Sequence, residues 1–363
     1  MSQPFDIDKS ILPHLVEVQP YEPAEPIEAM AERAGIPAEQ VIRLNANENP
    51  FGASPKVAEA LARLPAHIYP DSLQRRIREK IGEYTGFDPS HIIAGAGSDE
   101  LIDQLFRLFV SSGDTVIDCD PTFGMYSFWA RIAGAEIRSV PRDAAFDVDV
   151  PAVLDAIDSN TKMVLLSSPN NPTGNVDSLD QVRPLLDTGL LVVMDEAYYE
   201  FCGVTASGLV REYKNLVVLR TFSKWAGLAG LRVGYGIMSP RLVDHIIDIK
   251  SPYNVNSAAE AAALASLDDA EALLDRVKAI VEERERLFSI LNGIRGVAPL
   301  PSGGNFILCQ FGPGRAGTIF DGMAKRGIFL RKFSHERLRD YFRITVGTPE
   351  QNDTVVAALG EVV

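Results

Sequence analysis

The chain has 363 residues, 46% of them hydrophobic and 23% charged, and this composition excludes a disordered, collagen-like or disulfide-rich protein. It carries 35 Lys and Arg against 49 Asp and Glu, so the formal net charge of −14 argues against partners such as nucleic acid or an anionic membrane. The three cysteines form no C-x-x-C pair, so neither a disulfide framework nor a metal site is predicted.

The first 40 residues differ from the rest of the chain. They are Pro-rich at PYEPAEP (20–26), and we expect 1–40 to form an arm that packs on the smaller of two domains. They contain no apolar run typical of a signal peptide, and no later segment approaches roughly 20 consecutive apolar residues. We therefore expect a cytoplasmic protein that does not enter a membrane.

Residues 41–255 are predicted to form a large α/β domain. Short apolar runs alternate with amphipathic stretches such as ELIDQLFRLFV (100–110), which predicts crossover helices. Because the runs are apolar without strict alternation, they predict strands covered on both faces in a mostly parallel sheet of seven strands flanked by helices. The predicted strands are HIIAGAG (91–97), TVIDCD (115–120), EIRSV (136–140), KMVLLSS (162–168), LLVVMDE (190–196), NLVVLRT (215–221) and RVGYGI (232–237).

Residues 256–363 are predicted to form a smaller α+β domain. The domain begins with an Ala-, Glu- and Leu-rich helical region at 256–292 that has no strand signal. The elements predicted after it are strand NFILCQF (305–311), helix AGTIFDGMAKRG (316–327), strands IFLR (328–331) and FRITV (342–346), and a helix from Pro349.

Ligands of open parallel sheets bind beyond the carboxyl ends of the strands, and four of those ends carry chemically distinctive residues. The first is the turn GAGSDE (95–100), where the amides of Gly97, Ser98 and Asp99 would open a helix and suit a phosphate. A tight turn with a capping Ser is an equally good interpretation. The turn is also half of a G-x-G-x-x-G motif, for which Asp118 or Asp120 would be the ribose-binding acid.

The second and third strand ends place an amide and a carboxylate. Asn171 in SPNNPTG (167–174) precedes a proline that forces the chain out of the sheet, although a plain Asn-Pro turn would look the same. Asp195 in VMDEAYYEF (193–201) ends a strongly apolar strand, where a carboxylate needs a cation or hydrogen bonds to stay ionised. A helix-capping Asp or a metal ligand would fit that position too, but no P-loop motif supports a nucleotide site.

The fourth strand end is TFSKWAGLAGLRVGY (221–235). Lys224 lies among apolar residues that would desolvate its amine and lower its pKa, as a Schiff-base lysine requires. Arg232 follows a Gly-rich connection and would return to the same place as a phosphate clamp. The alternative, a surface lysine and a strand-edge arginine, does not explain this apolar setting.

The four strand ends together fit one ligand. A phosphate would meet the 97–99 amides, Ser223 and Arg232, and a ring nitrogen would meet Asp195. A phenolic oxygen would meet Asn171 and Tyr198, and an aldehyde would meet Lys224. Pyridoxal 5′-phosphate has all four groups.

The same motifs resemble a known family. The ordered set YPD (69–71), GAGSDE, PTFGMY (121–126), SPNNPTG, DEAY (195–198), TFSK and FRITVG (342–347) is similar to the fold-type-I pyridoxal-phosphate aminotransferases, and most similar to the histidinol-phosphate aminotransferases among them. The resemblance implies that Lys224 carries the cofactor covalently, with Asp195 at the ring nitrogen and Tyr198 and Asn171 at the phenolic oxygen. It implies the following further contacts: Phe123 on the ring, Gly97, Ser98, Asp99, Thr221, Ser223 and Arg232 at the phosphate, and Tyr69 from the partner subunit of a homodimer.

The resemblance also implies the substrates, an amino donor and 2-oxoglutarate. Arg343 would bind the substrate carboxylate or its equivalent, and Tyr21 and Arg331 would lie at a phosphate-bearing end, which favours histidinol phosphate as donor. Phenylalanine transamination and threonine-phosphate decarboxylation remain alternatives. The family pattern is not matched everywhere, since position 123 is Phe where many relatives have Tyr. The charged stretch 332–341, which includes His335, is expected to reshape the substrate end.

Two other classes of protein fit the sequence less well. A nucleotide-dependent oxidoreductase built on GAGSDE would leave Lys224, Asn171, Asp195 and Arg232 without a common purpose. A regulator with the same fold would need a DNA-binding module, and the acidic chain shows none.

Overall fold

The computed structural model describes residues 5–16, 18, 20, 21, 23 and 25–363. Within that part the chain forms thirteen strands and thirteen α-helices joined by loops and short 3₁₀ turns. The strands are β1 (Ile42–Arg43), β2 (Ile92–Gly95), β3 (Thr115–Asp120), β4 (Glu136–Pro141), β5 (Thr161–Ser167), β6 (Leu191–Asp195), β7 (Leu216–Thr221), β8 (Gly234–Ile237), β9 (Val297–Pro299), β10 (Phe306–Phe311), β11 (Ile328–Phe329), β12 (Arg331–Lys332) and β13 (Tyr341–Thr345). The helices are α1 (Ile7–Ser10), α2 (Ile27–Ala34), α3 (Pro55–Ala62), α4 (Arg75–Thr85), α5 (Ser98–Phe109), α6 (Met125–Ala133), α7 (Val150–Asp155), α8 (Leu179–Leu186), α9 (Pro240–Ile249), α10 (Ser257–Leu267), α11 (Ala270–Asn292), α12 (Ala316–Ala324) and α13 (Pro349–Val362).

The largest sheet has the seven strands predicted, in the order β2-β8-β7-β6-β5-β3-β4. Its neighbours are parallel from β4 through to β7, whereas β8 is antiparallel to both β7 and β2. Every residue of β6 and β7 is buried, because successive side chains enter hydrophobic clusters on opposite faces of the sheet. The fold is therefore α/β, with helices over both faces of a mixed sheet.

The C-terminal part adds two small sheets. One is antiparallel in the order β12-β13-β10-β9, and the other is the parallel pair of β1 and β11. The predicted single strand at 328–331 is wrong: it divides into β11 and β12, because Ile328 pairs with Ile42 while Arg331 pairs with Arg343 in the other sheet. Neither β1 nor β9 was predicted, since two or three residues carry too little pattern.

The predicted division of the chain into 1–40, 41–255 and 256–363 stays a prediction. The helix α10, which follows the predicted division at residue 255, packs with Ala259, Ala262 and Ala263 in the same hydrophobic cluster as the large sheet. In the N-terminal arm, Arg33 of α2 lies over the ring of Phe329 in β11, 4.9 Å from its centroid. His14, in contrast, contacts the carbonyl oxygen of Ile132 in α6, so the arm touches both the two-stranded sheet and a helix of the large α/β part.

None of the helices in the described ranges is both long and apolar enough to cross a bilayer.

Candidate active site

A cavity of about 730 Å³ opens at the carboxyl ends of β3, β5, β6 and β7, with β12 and β13 on its opposite wall. Most of the predicted site residues line it. They are Tyr21, Ser98, Asp99, Phe123, Asn171, Asp195, Tyr198, Thr221, Ser223, Lys224, Arg232, Arg331 and Arg343. Neither Gly97, which directly precedes Ser98, nor Tyr69 belongs to the lining.

Lys224 follows β7 and places its amine in this cavity. Its Nζ donates a hydrogen bond to the carbonyl oxygen of Ala46 at 3.1 Å. Burial, aided by the nearby Arg343 charge, lowers the pKa of Lys224 to about 8. The adjacent Phe222 and Trp225 are fully buried, which is the apolar setting that the sequence predicts. A substantial fraction of the amine is therefore neutral near pH 8 and able to act as a nucleophile or base.

Asp195 ends β6 and is almost completely buried. Its Oδ2 accepts a hydrogen bond from the Tyr126 hydroxyl at 2.9 Å, and its Oδ1 accepts one from the amide of Ala197 at 3.1 Å. Burial raises the pKa of Asp195 to about 6. Among the described residues no cationic side chain forms an ion pair with this carboxylate. The site thus presents a buried acceptor that would be stabilised by a cationic ligand group.

The turn before α5 brings together several groups that are able to donate hydrogen bonds. Gly97 has φ +79°, and a Cβ there would lie 2.7 Å from Nη2 of Arg232. Arg232 pairs with the Asp99 carboxylate at 2.7 Å, and the Thr221 hydroxyl donates to Ser223 at 3.0 Å. Backbone amides at the start of the twelve-residue helix α5, hydroxyls and a guanidinium thus converge, which suits a phosphate.

Asn171, Tyr198 and Arg343 form a polar part of the cavity wall. Asn171 accepts a short hydrogen bond from Arg343, which also donates to the carbonyl oxygen of Asn45 at 2.8 Å. The Tyr198 hydroxyl accepts a hydrogen bond from Nδ2 of Asn47 at 2.9 Å. Burial and the neighbouring Arg331 lower the pKa of Arg343 to about 10.

The small antiparallel sheet brings two arginines together. Arg331 in β12 and Arg343 in β13 are register partners, so both guanidinium groups reach the same wall. Tyr21 lies edge-on to Phe123, with 6.3 Å between the ring centroids. An anionic end group of a ligand would meet this wall.

The stretch 332–341 contributes to the cavity as well. Its residues from Lys332 to His335 line the cavity, and His335 hydrogen-bonds the Asp120 carboxylate at the end of β3. Arg337 donates to the carbonyl oxygens of Arg142 and Asp143, both at 2.7 Å. This stretch is therefore fixed to the large sheet, and its effect on substrate choice stays a prediction.

Tyr69 lies on the surface of the chain. Its side chain is 77% exposed and stacks on Tyr253, with 4.4 Å between the ring centroids. Within one chain it therefore does not complete the cavity.

Two residues of the site, Tyr126 and Asn47, were not predicted from the sequence. Tyr126 lies within the quoted motif PTFGMY, but nothing in the sequence showed that it reaches Asp195. Asn47 belongs to LNANEN (44–49), where every second residue is an asparagine, and buried amides of this kind need hydrogen-bond partners.

Comparison with known proteins extends this picture. Residues 39–359 match the family model of aminotransferase class I and II. The chain is 47% identical to the histidinol-phosphate aminotransferase of Roseiflexus castenholzii, over 99% of this chain and 100% of that protein. It is 41% identical to the chloroplastic histidinol-phosphate aminotransferase 1 of Arabidopsis thaliana, over 97% of this chain and 85% of that protein.

A solved structure is similar over nearly the same range. The histidinol-phosphate aminotransferase of Sinorhizobium meliloti, solved in complex with pyridoxal-5′-phosphate, superposes with a TM-score of 0.87 at 28% identity and covers 94% of this chain and 95% of that one. These matches do not support the oxidoreductase alternative, because they extend over the whole α/β frame. The chain belongs to the class I and II aminotransferases.

Proposed function

We propose that this protein is a pyridoxal-phosphate-dependent aminotransferase that moves an amino group from histidinol phosphate to 2-oxoglutarate. The observation that carries the proposal is that Lys224 and Asp195 line one cavity together with two adjacent arginines. The relatives named above are histidinol-phosphate aminotransferases, and the S. meliloti enzyme holds pyridoxal phosphate, which supports both parts of the proposal.

The residues present fit the cofactor. The buried Asp195 carboxylate would accept a hydrogen bond from the protonated ring nitrogen, and the Gly97 turn with Arg232 would hold the phosphate. Phe123 offers an aromatic face to the ring, and Asn171 and Tyr198 offer polar groups to its phenolic oxygen. When bound, pyridoxal phosphate supplies an electron sink that stabilises negative charge on the carbon that carries the transferred amino group.

The protein's own groups would carry out the proton transfers. The Lys224 amine has a pKa near 8, so it can attach the cofactor and then move a proton from the substrate's α carbon as a general base. Tyr126 and the Ala197 amide hold Asp195 in place. Its carboxylate would keep the ring nitrogen of a bound cofactor protonated. Asp195 is buried and Lys224 is half-buried, so the protein shields both groups from much of the solvent.

The substrate proposal depends on the pair Arg331 and Arg343. Two guanidinium groups side by side match the phosphate of histidinol phosphate and also the two carboxylates of 2-oxoglutarate. Phenylalanine, which has one carboxylate and no second anionic group, would use this wall less fully. A charge-assisted hydrogen bond contributes roughly 1.5–3 kcal/mol, so we expect kcat/KM for histidinol phosphate to exceed that for phenylalanine by at least about tenfold.

Steady-state assays that follow glutamate formation test this substrate assignment. Replacing Arg331 with Met should lower kcat/KM for histidinol phosphate at least tenfold while changing that for phenylalanine much less. A preference of the parent enzyme for phenylalanine would overturn the assignment, as would an equal loss for both donors in the variant.

Replacing Lys224 with Ala tests the reaction class. This variant should lose turnover and also the visible absorbance band that appears when pyridoxal phosphate binds covalently to the parent protein. The exposed Lys214 provides a matched control, and Lys214→Ala should retain both properties. Turnover by the Lys224→Ala protein at the parent rate would contradict the proposal.

We further propose that the protein is a cytoplasmic homodimer whose partner subunit supplies Tyr69 to the cavity. The support is an exposed apolar patch that contains Ile68, Tyr69, Leu73 and Tyr253, since patches of this kind often mark protein interfaces. Sedimentation of the parent protein should show a dimer. The Tyr69→Phe variant should bind the cofactor more weakly but remain a dimer. A monomer that is fully active would contradict this proposal.

A further inference from the structure

Asn47 occupies an unusual position beside the cavity. It lies after β1, its side chain is only 1% exposed, and its backbone has φ +52°, a left-handed conformation that is uncommon for residues other than glycine. Asparagine tolerates this conformation better than most residues. A strained, buried amide that lines a cavity calls for a functional explanation.

Hydrogen bonds fix the orientation of the Asn47 amide. The Thr345 hydroxyl accepts from the backbone amide of Asn47 at 3.0 Å and donates to its Oδ1 at 3.0 Å. Asn305 donates to the backbone carbonyl oxygen of Asn47 at 3.1 Å. Reversing the side-chain amide would leave the buried Thr345 hydroxyl proton without this acceptor, which costs free energy. The oxygen of the amide therefore faces Thr345, and its nitrogen faces Tyr198.

The orientation of Asn47 decides what Tyr198 can do. Nδ2 of Asn47 donates to the Tyr198 hydroxyl at 2.9 Å, so the phenolic oxygen acts as an acceptor on that side. A phenol has one proton, and this contact does not use it. Burial raises the pKa of Tyr198, which keeps the proton on the oxygen. Since Tyr198 lines the cavity, the proton is available to a ligand there.

We propose that Asn47 is a positioning residue that turns Tyr198 into a hydrogen-bond donor toward the phenolic oxygen of the bound cofactor. The proposal rests on the proposed function, because it needs pyridoxal phosphate in the cavity. In this proposal the Asn47–Thr345 pair determines the direction in which the Tyr198 hydroxyl donates its hydrogen bond. A carboxylate at position 47 would reverse that direction, because it would accept the Tyr198 proton instead of donating to Tyr198.

Two substitutions at position 47 separate positioning from packing. Asn47→Asp keeps the size of the side chain and the bond from Thr345, whereas Asn47→Ala removes the whole amide. If the role is structural only, the nearly isosteric Asp variant should be the milder one. If Asn47 directs the Tyr198 proton, the Asp variant should be the more severe one at pH 8, where a carboxylate is ionised.

The measurements are the dissociation constant of pyridoxal phosphate and the pH midpoint at which its visible absorbance changes. Losing a donor to an anionic oxygen makes that oxygen more basic, so we expect Asn47→Asp to raise the midpoint by about one pH unit and to weaken binding about tenfold or more. Asn47→Ala should change both by less. In a Tyr198→Phe background, Asn47→Asp should change the dissociation constant and the pH midpoint little further, because the hydroxyl proton that it would accept is absent.

Two substitutions of Thr345 serve as controls. Thr345→Val removes the hydroxyl that orients the amide and should shift the midpoint in the same direction, whereas Thr345→Ser should not. This pair tests the proposal even if Asn47→Asp fails to fold. Equal effects of Asn47→Asp and Asn47→Ala, or an Asp effect that persists in the Tyr198→Phe background, would overturn the role of Asn47 alone. A parent protein that binds no pyridoxal phosphate would overturn this proposal and the proposed function together.

Discussion

Replacing Asp195 with Asn should stabilise the cofactor-free protein and lower its affinity for pyridoxal phosphate. Burial raises the pKa of the Asp195 carboxyl from 3.8 to about 6. At about 1.36 kcal/mol per pH unit, the charged carboxylate therefore costs the folded protein about 3 kcal/mol above both values. An Asn avoids that cost, because its amide can donate to the Tyr126 oxygen and accept from the amide of Ala197.

The size of the stabilisation depends on pH. A carboxyl whose pKa is raised by folding binds its proton more tightly in the folded state, so its contribution to stability is complete below pH 3.8 and is lost as the pH rises to about 6. The advantage of Asp195→Asn should therefore be absent near pH 4 and reach up to about 3 kcal/mol at pH 8. In the loaded enzyme a cationic ring nitrogen would offset the cost in the parent, so the stabilisation that the cofactor adds should shrink in the variant.

Urea unfolding of the cofactor-free proteins at pH 4, 6 and 8, repeated with saturating pyridoxal phosphate, measures both effects. The exposed Asp248 gives a matched control, because Asp248→Asn makes the same chemical change without burial. A cofactor-free Asp195→Asn protein that is no more stable than the parent at pH 8 would refute the reasoning. The same gain at pH 4 and pH 8 would also refute it.

Two further substitutions test the frame around the cavity. Gly97→Ala should weaken binding of pyridoxal phosphate about tenfold and that of pyridoxal, which has no phosphate, much less, because a Cβ would lie 2.7 Å from Nη2 of Arg232. Gly113→Ala has a similar positive φ but open space around it, so it should leave both affinities unchanged. Arg220→Met should destabilise the protein by about 3–5 kcal/mol in urea unfolding, because it leaves the buried Glu196 without its partner at 2.9 Å, and adding Glu196→Gln should restore part of the loss. An unchanged unfolding midpoint in Arg220→Met would show that this buried pair contributes little.

Much of the large sheet could be predicted from the sequence, because its strands are fully buried and therefore carry continuous apolar runs. The polar residues that end those runs were predictable as a group as well. Parallel strands end at a common edge, so Asn171, Asp195 and Lys224 were predicted to meet there.

Tertiary structure decided the contacts that no local pattern encodes. Tyr126 reaches Asp195 across 69 positions of sequence, and Asn47 reaches Tyr198 across 151. The register of β12 against β13 places Arg331 beside Arg343, although the sequence predicted Arg331 in a different strand with Ile328. Such pairings are set by the tertiary packing of the chain, because a two-residue strand carries too little pattern to specify its partner. The sequence alone thus determined the chemistry that meets at the sheet edge, whereas folding determined how each of those groups is oriented.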